Sequence, residues 1–438
     1  MAGALDGITI LDFTQFQQGT FSTVLLADLG ANVLKVEQPG GDRGRRLGLH
    51  VNGYSSYFES LNRNKRSIVI DLRKPEGKEI VYRLAKTADV AVENYRRGAL
   101  DRLGVGYEAL RRHNPRIIYA SASMWGPRGE RAEHPGYDNI AQAAGGMMMA
   151  TRHNEEVPYS PQPGLADQVG GMMLSHGILA ALLARERTGA GQRIDASLYG
   201  SQIALQGIHV ARALCDVPLV PPGAGSTAFS HRSFCADAVW IAFGYLTADF
   251  WPGMCRALDL EWLTTDPRFA DPVARGKHQH ALVECVDAQV AMRPSNEWIE
   301  RLVRADVPCG VVQDFRMIGE DPQALENDYI LSYTNPKYGP VRAHGFSVAM
   351  SETPASVRYA APSSPGLQSE EILCELGYTG TEIEALISSL VVHQTPAGTS
   401  SESRIPSSGN QEELSAVLRT QNSELGTRKG GPFVNDRK

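Results

Sequence analysis

Short runs rich in β-branched residues alternate with helical segments along the first part of the chain, and this alternation restricts the fold more than any other feature. Strands that alternate with helices imply βαβ units and a parallel sheet covered by helices. Such a sheet binds ligands at the carboxyl ends of its strands, so the residues after each strand are candidates for a site. The pattern predicts strands over 7–13, 32–37, 67–72, 89–93 and 116–121, and helices over 22–29, 75–85 and 107–112.

A second feature is the segment 163–171, which leads into a long apolar run. It contains a Pro-Gly turn, the single carboxylate of Asp167 and the pair Gly170-Gly171. The pattern predicts a loop that delivers Asp167 to the start of a buried helix, which Gly189 ends. One interpretation makes Asp167 the N-cap of that helix. The other makes it a functional carboxylate, because two glycines weaken a helix and are more useful where a ligand approaches the backbone closely.

Composition argues against several classes of protein. The 438 residues carry a formal net charge of −6, which is unlike a nucleic-acid-binding protein. The first residues leave no room for a signal or transit segment, and the longest apolar stretch is shorter than a membrane span. The six cysteines contain no C-x-x-C pair, which fits a reducing compartment. The sequence therefore predicts a cytoplasmic protein with no nucleic-acid and no membrane partner.

The residues that follow the predicted strands narrow the ligand. The chain has no G-x-G-x-x-G and no G-x-x-x-x-G-K-[ST] motif, which disfavours a dinucleotide or nucleotide-hydrolysis site. After the fourth strand, residues 94–102 combine an aromatic face, hydrogen-bond donors and arginines. This segment is either a polar turn that enters a helix or a site for nucleotide phosphates and an adenine. The chain also has a local concentration of basic residues, which is either a solvated face or a phosphate-binding site. It consists of Arg43, Arg45, Arg46, Lys65, Arg66, Arg73 and Lys74.

Nine short segments, in order from residue 5 to the region before residue 392, carry a resemblance to a known family. They are LDGITILD (5–12), LLADLGANVLKVE (25–37), NRNKRSI (62–68), VENY (92–95), GYD (136–138), PGLADQVGG (163–171), TGAGQ (188–192), VPCG (307–310) and EIL (371–373). In sequence and in order they resemble the class III coenzyme A transferases. So many ordered motifs are specific to the family, but they do not identify the substrate.

The resemblance implies a set of site residues. Asp167 falls on the position of the catalytic aspartate, and the positions that hold coenzyme A (CoA) in relatives are occupied by Gln17, Leu72, Asn94, Tyr95, Ala99 and Arg102. Gln38 replaces a basic residue that some relatives carry, so we expect the adenosine 3′-phosphate on Arg43, Arg45 or Arg46. CoA and acyl-CoA are substrates in this family, and no tightly bound cofactor is expected. No metal is predicted either, because the His278, His280 and Cys285 spacing matches no tetrahedral site.

The resemblance also implies a reaction. Asp167 takes the donor acyl group as a mixed anhydride, then carries CoA as an aspartyl thioester and passes it to an acceptor acid. The backbone N–H groups of Gly145-Gly146 or of 223–225 are candidate donors to the oxyanions. Some oxalate-using relatives carry a run of consecutive glycines, which residues 223–225 match poorly. Oxalate and formate are therefore disfavoured as substrates.

Two alternatives to a transferase stay open. Relatives include α-methylacyl-CoA racemases, in which the aspartate and a histidine exchange the α-proton of the substrate. The position of that histidine is occupied here by Tyr137, which is a poor partner for proton exchange. His134 is close in sequence, so a racemase that uses His134 stays open. A non-catalytic CoA-binding protein is the other alternative.

The chain is predicted to fold as an α/β protein with two domains. A large Rossmann-like parallel-sheet domain is built from 1–215 and 323–392, with a linker over 216–228, a smaller α+β domain over 229–322 and a poorly ordered tail over 393–438. The methionine run 147–149 is interpreted as core filler. The expected partners are acyl-CoA, a small carboxylic acid and, from the resemblance, a second copy of the chain in an interlocked homodimer.

Overall fold

A computed structural model of the protein describes residues 3–48, 50–51, 53–151, 157–215, 229–245 and 248–394. These residues form two compact units. One unit contains the chain up to Gly207 and from Leu325 onward, and the other contains Ile208 to Ala324. The predicted linker 216–228, with its 223–225 loop, and nearly all of the predicted tail lie outside the described residues.

The described strands form a seven-stranded sheet, a three-stranded sheet and two hairpins. They are β1 (Thr9–Asp12), β2 (Asn32–Glu37), β3 (His50–Val51), β4 (Tyr54–Ser55), β5 (Lys65–Ile70), β6 (Val90–Glu93), β7 (Ile118–Ser123), β8 (Arg193–Ser197), β9 (Phe229–Phe234), β10 (Trp240–Tyr245), β11 (Cys309–Val311), β12 (Ile330–Asn335), β13 (Gly339–His344) and β14 (Val392–His393).

The described helices precede, connect and follow these strands. They are α1 (Gln18–Asp28), α2 (Ser56–Asn62), α3 (Pro75–Thr87), α4 (Ala99–Arg102), α5 (Tyr107–His113), α6 (Asp138–Ala144), α7 (Met147–Thr151), α8 (Leu165–Thr188), α9 (Leu198–Leu205), α10 (Gly207–Leu214), α11 (Trp251–Ala257), α12 (Pro272–Lys277), α13 (Gln279–Val290), α14 (Ser295–Arg304), α15 (Phe315–Glu320), α16 (Pro322–Glu326), α17 (Ser369–Glu375) and α18 (Gly380–Ser388).

The seven-stranded sheet of the first unit has the order β14-β5-β2-β1-β6-β7-β8. Its neighbours are parallel except for β14, which runs antiparallel to β5. Helices α1 and α8 cover one face through a core that includes Leu26 and Ile178. Helices α3, α5 and α17 cover the other face through a core that includes Ile80, Leu110 and Ile372. The prediction of a mainly parallel sheet covered by helices is confirmed.

Buried charges fix the loop that follows β1. Asp12 accepts from Lys65 Nζ at 2.9 Å, and Lys35 Nζ lies 2.8 Å from Asp42 and donates to the Thr14 carbonyl at 3.0 Å. Burial would raise the pKa of Asp12, but the charges of Lys65 and Lys35 outweigh it and lower the pKa to about 2. The Asp12 carboxylate therefore stays ionised and holds Lys65, while Asp42 holds Lys35.

These ion pairs also explain why one strand begins earlier than predicted. Strand β5 starts at Lys65, two residues before the predicted run of 67–72, with Lys65 and Arg66 both buried. The Arg66 guanidinium is 2.6 Å from Glu371 and 2.6 Å from Glu375 on α17. Two charged residues indicate a loop in sequence, yet they extend a strand here because each finds an acidic partner.

Helix α8 is the longest described helix of the first unit, and it is less buried than predicted. It begins at Leu165 and ends at Thr188, with Gly189 as its left-handed C-cap. Its exposed face carries Met172, Met173, Leu179 and Leu183, of which Leu183 is 64% exposed. The prediction of a buried helix is therefore right for one face and wrong for the other. Among the described residues, no helix is both long and apolar enough to cross a membrane.

The prediction for the methionine run is wrong. Residues Met147–Thr151 form the short helix α7, which contributes no buried residue, and the Met149 side chain is 54% exposed. Apolar side chains alone do not place a segment in a core; this helix lies outside the apolar clusters of the described chain.

The second unit is a small α+β structure. Its antiparallel sheet has the order β11-β10-β9, and helices α11, α13 and α14 supply apolar side chains to the core. Trp298 is completely buried there, and its indole N–H donates to the Val290 carbonyl at 2.8 Å. Within the described ranges, no group of three or more His, Cys, Asp or Glu side chains is arranged to hold a metal ion.

Candidate active site

A cavity of about 390 Å³ lies in the first unit, where the ends of β1, β6 and β7 meet the start of α8. Four stretches of chain line it, and Asp167, Arg193, Asp195 and Leu198 complete the wall. The stretches are 16–18 after β1, 93–97 from the end of β6, 121–126 from the end of β7, except residue 125, and 132–137 before α6. The cavity therefore lies at the edge of the sheet where ligands were expected.

Asp167 occupies the third position of α8, and its carboxylate contributes to the cavity wall. The N-cap of this helix is Gly164, which has a left-handed φ of 84° and provides no side-chain cap. The interpretation of Asp167 as the N-cap is therefore wrong. In the described part of the chain, the Asp167 carboxylate accepts no hydrogen bond.

Asp138, the first residue of α6, supplies the cap instead. One of its carboxylate oxygens accepts from the backbone N–H of Ala166 at 2.7 Å and of Asp167 at 3.2 Å. The other accepts from the Gly164 N–H at 3.0 Å and from the Gln142 side-chain amide at 2.7 Å. Asp138 thus takes the N–H groups that would otherwise stabilise the Asp167 carboxylate.

The surroundings make Asp167 unusually basic. Burial, and to a smaller extent the negative charge of Asp138, together raise the pKa of Asp167 to about 7. Burial and the charges of Asp167, Asp42 and Asp138 likewise raise the pKa of Tyr57 on α2. The N-terminus of a helix usually stabilises a carboxylate, but at α8 the carboxylate of Asp138 accepts the free N–H groups and takes this stabilisation. Asp167 is therefore a desolvated carboxylate beside a second carboxylate, an arrangement that is common in active sites.

Gly170 and Gly171 have a packing role, and the prediction that they admit a ligand is wrong. A Cβ atom on Gly170 would lie 2.8 Å from the Gln18 side-chain nitrogen, and one on Gly171 would lie 2.7 Å from the Gln18 carbonyl oxygen. Both glycines are buried against α1. They let α8 approach α1 closely, which brings Asp167 next to the loop that follows β1.

Three of the predicted CoA positions meet in this cavity, namely Gln17, Asn94 and Tyr95. The Gln17 side-chain amide donates to the Gly164 carbonyl at 3.3 Å. The Tyr95 backbone N–H donates to the Glu93 carboxylate at 2.8 Å. Burial raises the pKa of Glu93 to about 7, although the Ser121 hydroxyl beside it acts in the opposite direction.

The other three predicted CoA positions do not line the cavity. Leu72 packs against the same apolar core as Tyr95, just beyond the end of β5. Ala99 and Arg102 begin and end the short helix α4, which follows the cavity-lining residues 93–97, and the Arg102 side chain is exposed. All three lie beyond the carboxyl ends of β5 and β6, at the same edge of the sheet as the cavity.

The arginines proposed for the 3′-phosphate differ in their contacts. The Arg45 guanidinium forms a fork on Glu37 with distances of 2.9 and 2.6 Å and also donates to the Pro362 carbonyl. Arg43 and Arg46 are exposed. The expected role of Arg45 as a phosphate ligand conflicts with its fixed pairing, whereas Arg43 and Arg46 remain candidates.

The backbone N–H groups of Gly145 and Gly146, which were proposed as oxyanion donors, already donate to carbonyl groups of the protein. The Gly145 N–H donates to the Ala141 carbonyl at 2.8 Å and the Gly146 N–H to the Ala143 carbonyl at 3.3 Å, which closes the end of α6. Neither glycine lines the cavity. This candidate is therefore wrong. Tyr137 and His134, the two residues weighed for a racemase, both line the cavity wall.

Comparison with known proteins identifies the family. The sequence profile of CoA-transferase family III matches residues 5–366. The chain belongs to CoA-transferase family III. The resemblance drawn from the nine segments is thereby confirmed, and the protein is a CoA-transferase enzyme.

Individual relatives of this CoA-transferase match over most of their length. A succinyl-CoA:mesaconate CoA-transferase of Haloarcula hispanica is 35% identical over 372 residues, which cover 82% of this chain and 93% of that protein. An acyl-CoA transferase of Fusarium pseudograminearum is 33% identical over 397 residues, with 86% and 85% covered. The crystal structure of a CAIB/BAIF family protein from Brucella suis has a TM-score of 0.76 at 28% identity, and the match covers 86% of this chain and 100% of that one.

Sequence reasoning missed three residues that shape the site of this CoA-transferase. The GYD segment contains Asp138 but indicates no role for it, and Tyr57 and Gln15 belong to none of the motifs. Asp138 lies 26 residues before Gly164, the N-cap of the helix whose N–H groups it accepts from. No local sequence pattern therefore marks it as a cap. For Gln15 a signal existed, because it follows a strand of the parallel sheet directly.

Proposed function

We propose that Asp167 is the nucleophile of this CoA-transferase and carries both covalent intermediates. The observation that supports this most is the state of its carboxylate, which lies in the cavity wall with a pKa raised to about 7. A carboxylate of ordinary pKa is a feeble nucleophile towards a thioester. Raising its basicity strengthens it, while a pKa close to neutrality still leaves about half of it ionised at pH 7.

The proposed cycle balances without an external acid or base. An Asp167 oxygen attacks the acyl-CoA carbonyl, the C–S bond breaks, and the CoA thiolate leaves behind a mixed anhydride. The thiolate attacks the Asp167 side-chain carbonyl, which releases the donor acid as a carboxylate and leaves an aspartyl-CoA thioester. The acceptor carboxylate then attacks this thioester to form a second anhydride, and the returning thiolate takes the acceptor acyl group and frees Asp167.

Positioning supplies the rate in this proposal. Aligning the reacting groups is worth up to about 7–11 kcal/mol. Binding energy from the distant parts of CoA can serve this end. We propose that the segments carrying Gln17, Asn94 and Tyr95 form the CoA site at the cavity, and that Leu72, Ala99 and Arg102 contribute to CoA binding farther along the sheet edge. The acceptor is a small carboxylic acid, as it is for the succinyl-CoA:mesaconate CoA-transferase of Haloarcula.

Trapping the intermediates tests this mechanism. The protein is incubated with acetyl-CoA, succinyl-CoA and formyl-CoA in turn, quenched with borohydride or hydroxylamine, and digested for peptide mass spectrometry. We expect a donor-dependent mass change at Asp167 with at least one donor. A mass change at another residue would contradict the proposal. No adduct, together with α-proton exchange of a 2-methylacyl-CoA in deuterated water, would instead favour a racemase that uses His134.

We also propose that the protein works as a homodimer, of the interlocked kind that the family resemblance implies. The exposed apolar stripe of α8 supports this, since Met172, Leu179 and Leu183 are spaced by seven and four residues and lie on one helix face. Soluble monomers rarely expose contiguous apolar surface of this kind.

A charged substitution on this stripe tests the dimer. Leu183→Glu is expected to hinder assembly of the dimer as the chains fold, so that monomer is recovered in place of dimer, because a buried unpaired carboxylate is costly. Light scattering coupled to gel filtration measures the mass. Val303, which is also exposed on a helix, provides the control: Val303→Glu is expected to leave the mass unchanged. A monomeric wild-type protein would contradict the proposal.

A further inference from the structure

The side chain of Asn94 is engaged by the protein itself. Its amide nitrogen donates to the Gln15 carbonyl at 2.5 Å, and its amide oxygen accepts from the Gln15 backbone N–H at 2.8 Å. Asn94 thus binds both backbone groups of one residue, as a neighbouring strand would do. This pair of hydrogen bonds ties the loop after β6 to the loop after β1.

The loop that Asn94 holds has little freedom elsewhere. Lys35 donates to the carbonyl of Thr14, and the Gln15 side chain donates to the Tyr95 hydroxyl at 2.6 Å. The next residue, Phe16, has a left-handed φ of 61°. A non-glycine residue in that region is strained and persists only where its neighbours fix it. The two hydrogen bonds between Asn94 and the Gln15 backbone are among the contacts that hold Phe16 in this conformation.

The strained residue directs Gln17 towards the start of α8. The Gln17 amide donates to the carbonyl of Gly164, the N-cap of α8 and three residues before Asp167. A Cβ atom on Gly164 would lie 2.6 Å from the Gln17 side-chain nitrogen, so the two are closely packed. A continuous path therefore runs from Asn94 by hydrogen bonds to Gln15, along the backbone to Gln17, and by a hydrogen bond to the helix turn that carries Asp167.

We infer that Asn94 is a positioning residue, which acts on Asp167 through the Gln15–Gln17 segment rather than by gripping CoA with its side chain. This inference rests on the proposed nucleophilic role of Asp167. It separates two roles that the same residue could have. A ligand of CoA changes affinity when it is lost, whereas a positioning residue changes the rate at which bound donor reacts.

Kinetics of two single variants and their combination tests this inference. Asn94→Ala is expected to slow formation of the Asp167 adduct roughly tenfold at saturating donor, while the Kd for CoA, measured by calorimetry, changes by less than about twofold. Gln17→Ala is expected to slow the adduct by a similar factor. Because both residues act along one path, the double variant should be little slower than the worse single one, whereas independent effects would multiply to about 100-fold.

Asn114 provides a matched control. Its side chain also ties two segments together, with donations to the Ala85 and Ala88 carbonyls at 3.0 and 2.8 Å, and it lies outside the cavity lining. Asn114→Ala is expected to lower the melting temperature as much as Asn94→Ala does, with no change in the rate of adduct formation. A tenfold or greater rise in the Kd for CoA in Asn94→Ala, or multiplied effects in the double variant, would overturn the inference.

Amide hydrogen exchange tests the same inference without an acyl-CoA donor. In Asn94→Ala, amide exchange should accelerate for residues 15–17 and for the first turn of α8, and in Asn114→Ala it should not. Unchanged exchange at both places in Asn94→Ala would overturn the inference even if no adduct forms in the wild type. Absence of any wild-type adduct with accelerated exchange would instead contradict the nucleophilic role of Asp167 and leave the positioning path supported.

Discussion

The Asp167→Asn variant is expected to lose CoA transfer by at least roughly 1,000-fold, because it loses the covalent route together with the alignment built around it. Asparagine keeps the size of the side chain, and the Asp167 backbone N–H keeps its hydrogen bond to Asp138. The CoA affinity should therefore stay within a few-fold of the wild type. Initial rates with an acyl-CoA donor that gives an adduct in the wild type, and the trapped mass at position 167, measure the effect.

Two controls keep this result specific. Asp195→Asn removes another cavity carboxylate whose pKa is raised by burial, and the adduct at Asp167 should persist in that variant. Stability gives the second control. Because the pKa of Asp167 is raised in the folded protein, its ionisation costs stability as the pH rises from about 4 to about 7. Asp167→Asn should therefore be more stable than the wild type at pH 8 and similar at pH 4. Transfer activity that survives Asp167→Asn would contradict the nucleophilic role.

The sheet could be predicted from sequence because its strands are buried on both faces and read as continuous apolar runs. Several errors lie where a residue meets a partner that is distant in the sequence. Lys65 reads as a loop residue, but Asp12 lies 53 positions away in the chain and 2.9 Å away in space. Gly170 and Gly171 were assigned to a ligand for the same reason, since the helix that fills the space beside them is distant in sequence.

The candidate site shows the same limit. Asp167 could be found because a turn, a carboxylate and a helix follow each other locally, and because the family pattern marks it. The raised pKa of Asp167 could not be predicted, because it depends on burial and on Asp138, which belongs to a separate helix. Asn94 was found by position, but its contact with the Gln15 backbone is a tertiary feature that leaves no pattern in the chain.

Asp138→Asn is expected to produce the second largest effect, a roughly 100-fold fall in the plateau rate together with a shift of the pH profile. The wild-type rate should rise with pH to a midpoint near 7, because the attacking group must be ionised. Removing the Asp138 charge should move that midpoint to lower pH. Burial, the larger cause of the raised pKa, stays in place, so the shift is partial.

The fall in plateau rate follows from the hydrogen bonds of Asp138. The oxygen that accepts from the Gly164 N–H and the Gln142 amide would become, in asparagine, a nitrogen that faces two donors. The alternative rotamer would direct that nitrogen at the Ala166 and Asp167 N–H groups, so either orientation disturbs the turn that aims Asp167. The control is Asp271→Asn, because Asp271 caps α12 through two backbone N–H groups outside the cavity. It should lower stability by about 1 kcal/mol or less and leave the pH profile unchanged. A midpoint that stays near 7 in Asp138→Asn would show that its charge does not set the basicity of Asp167.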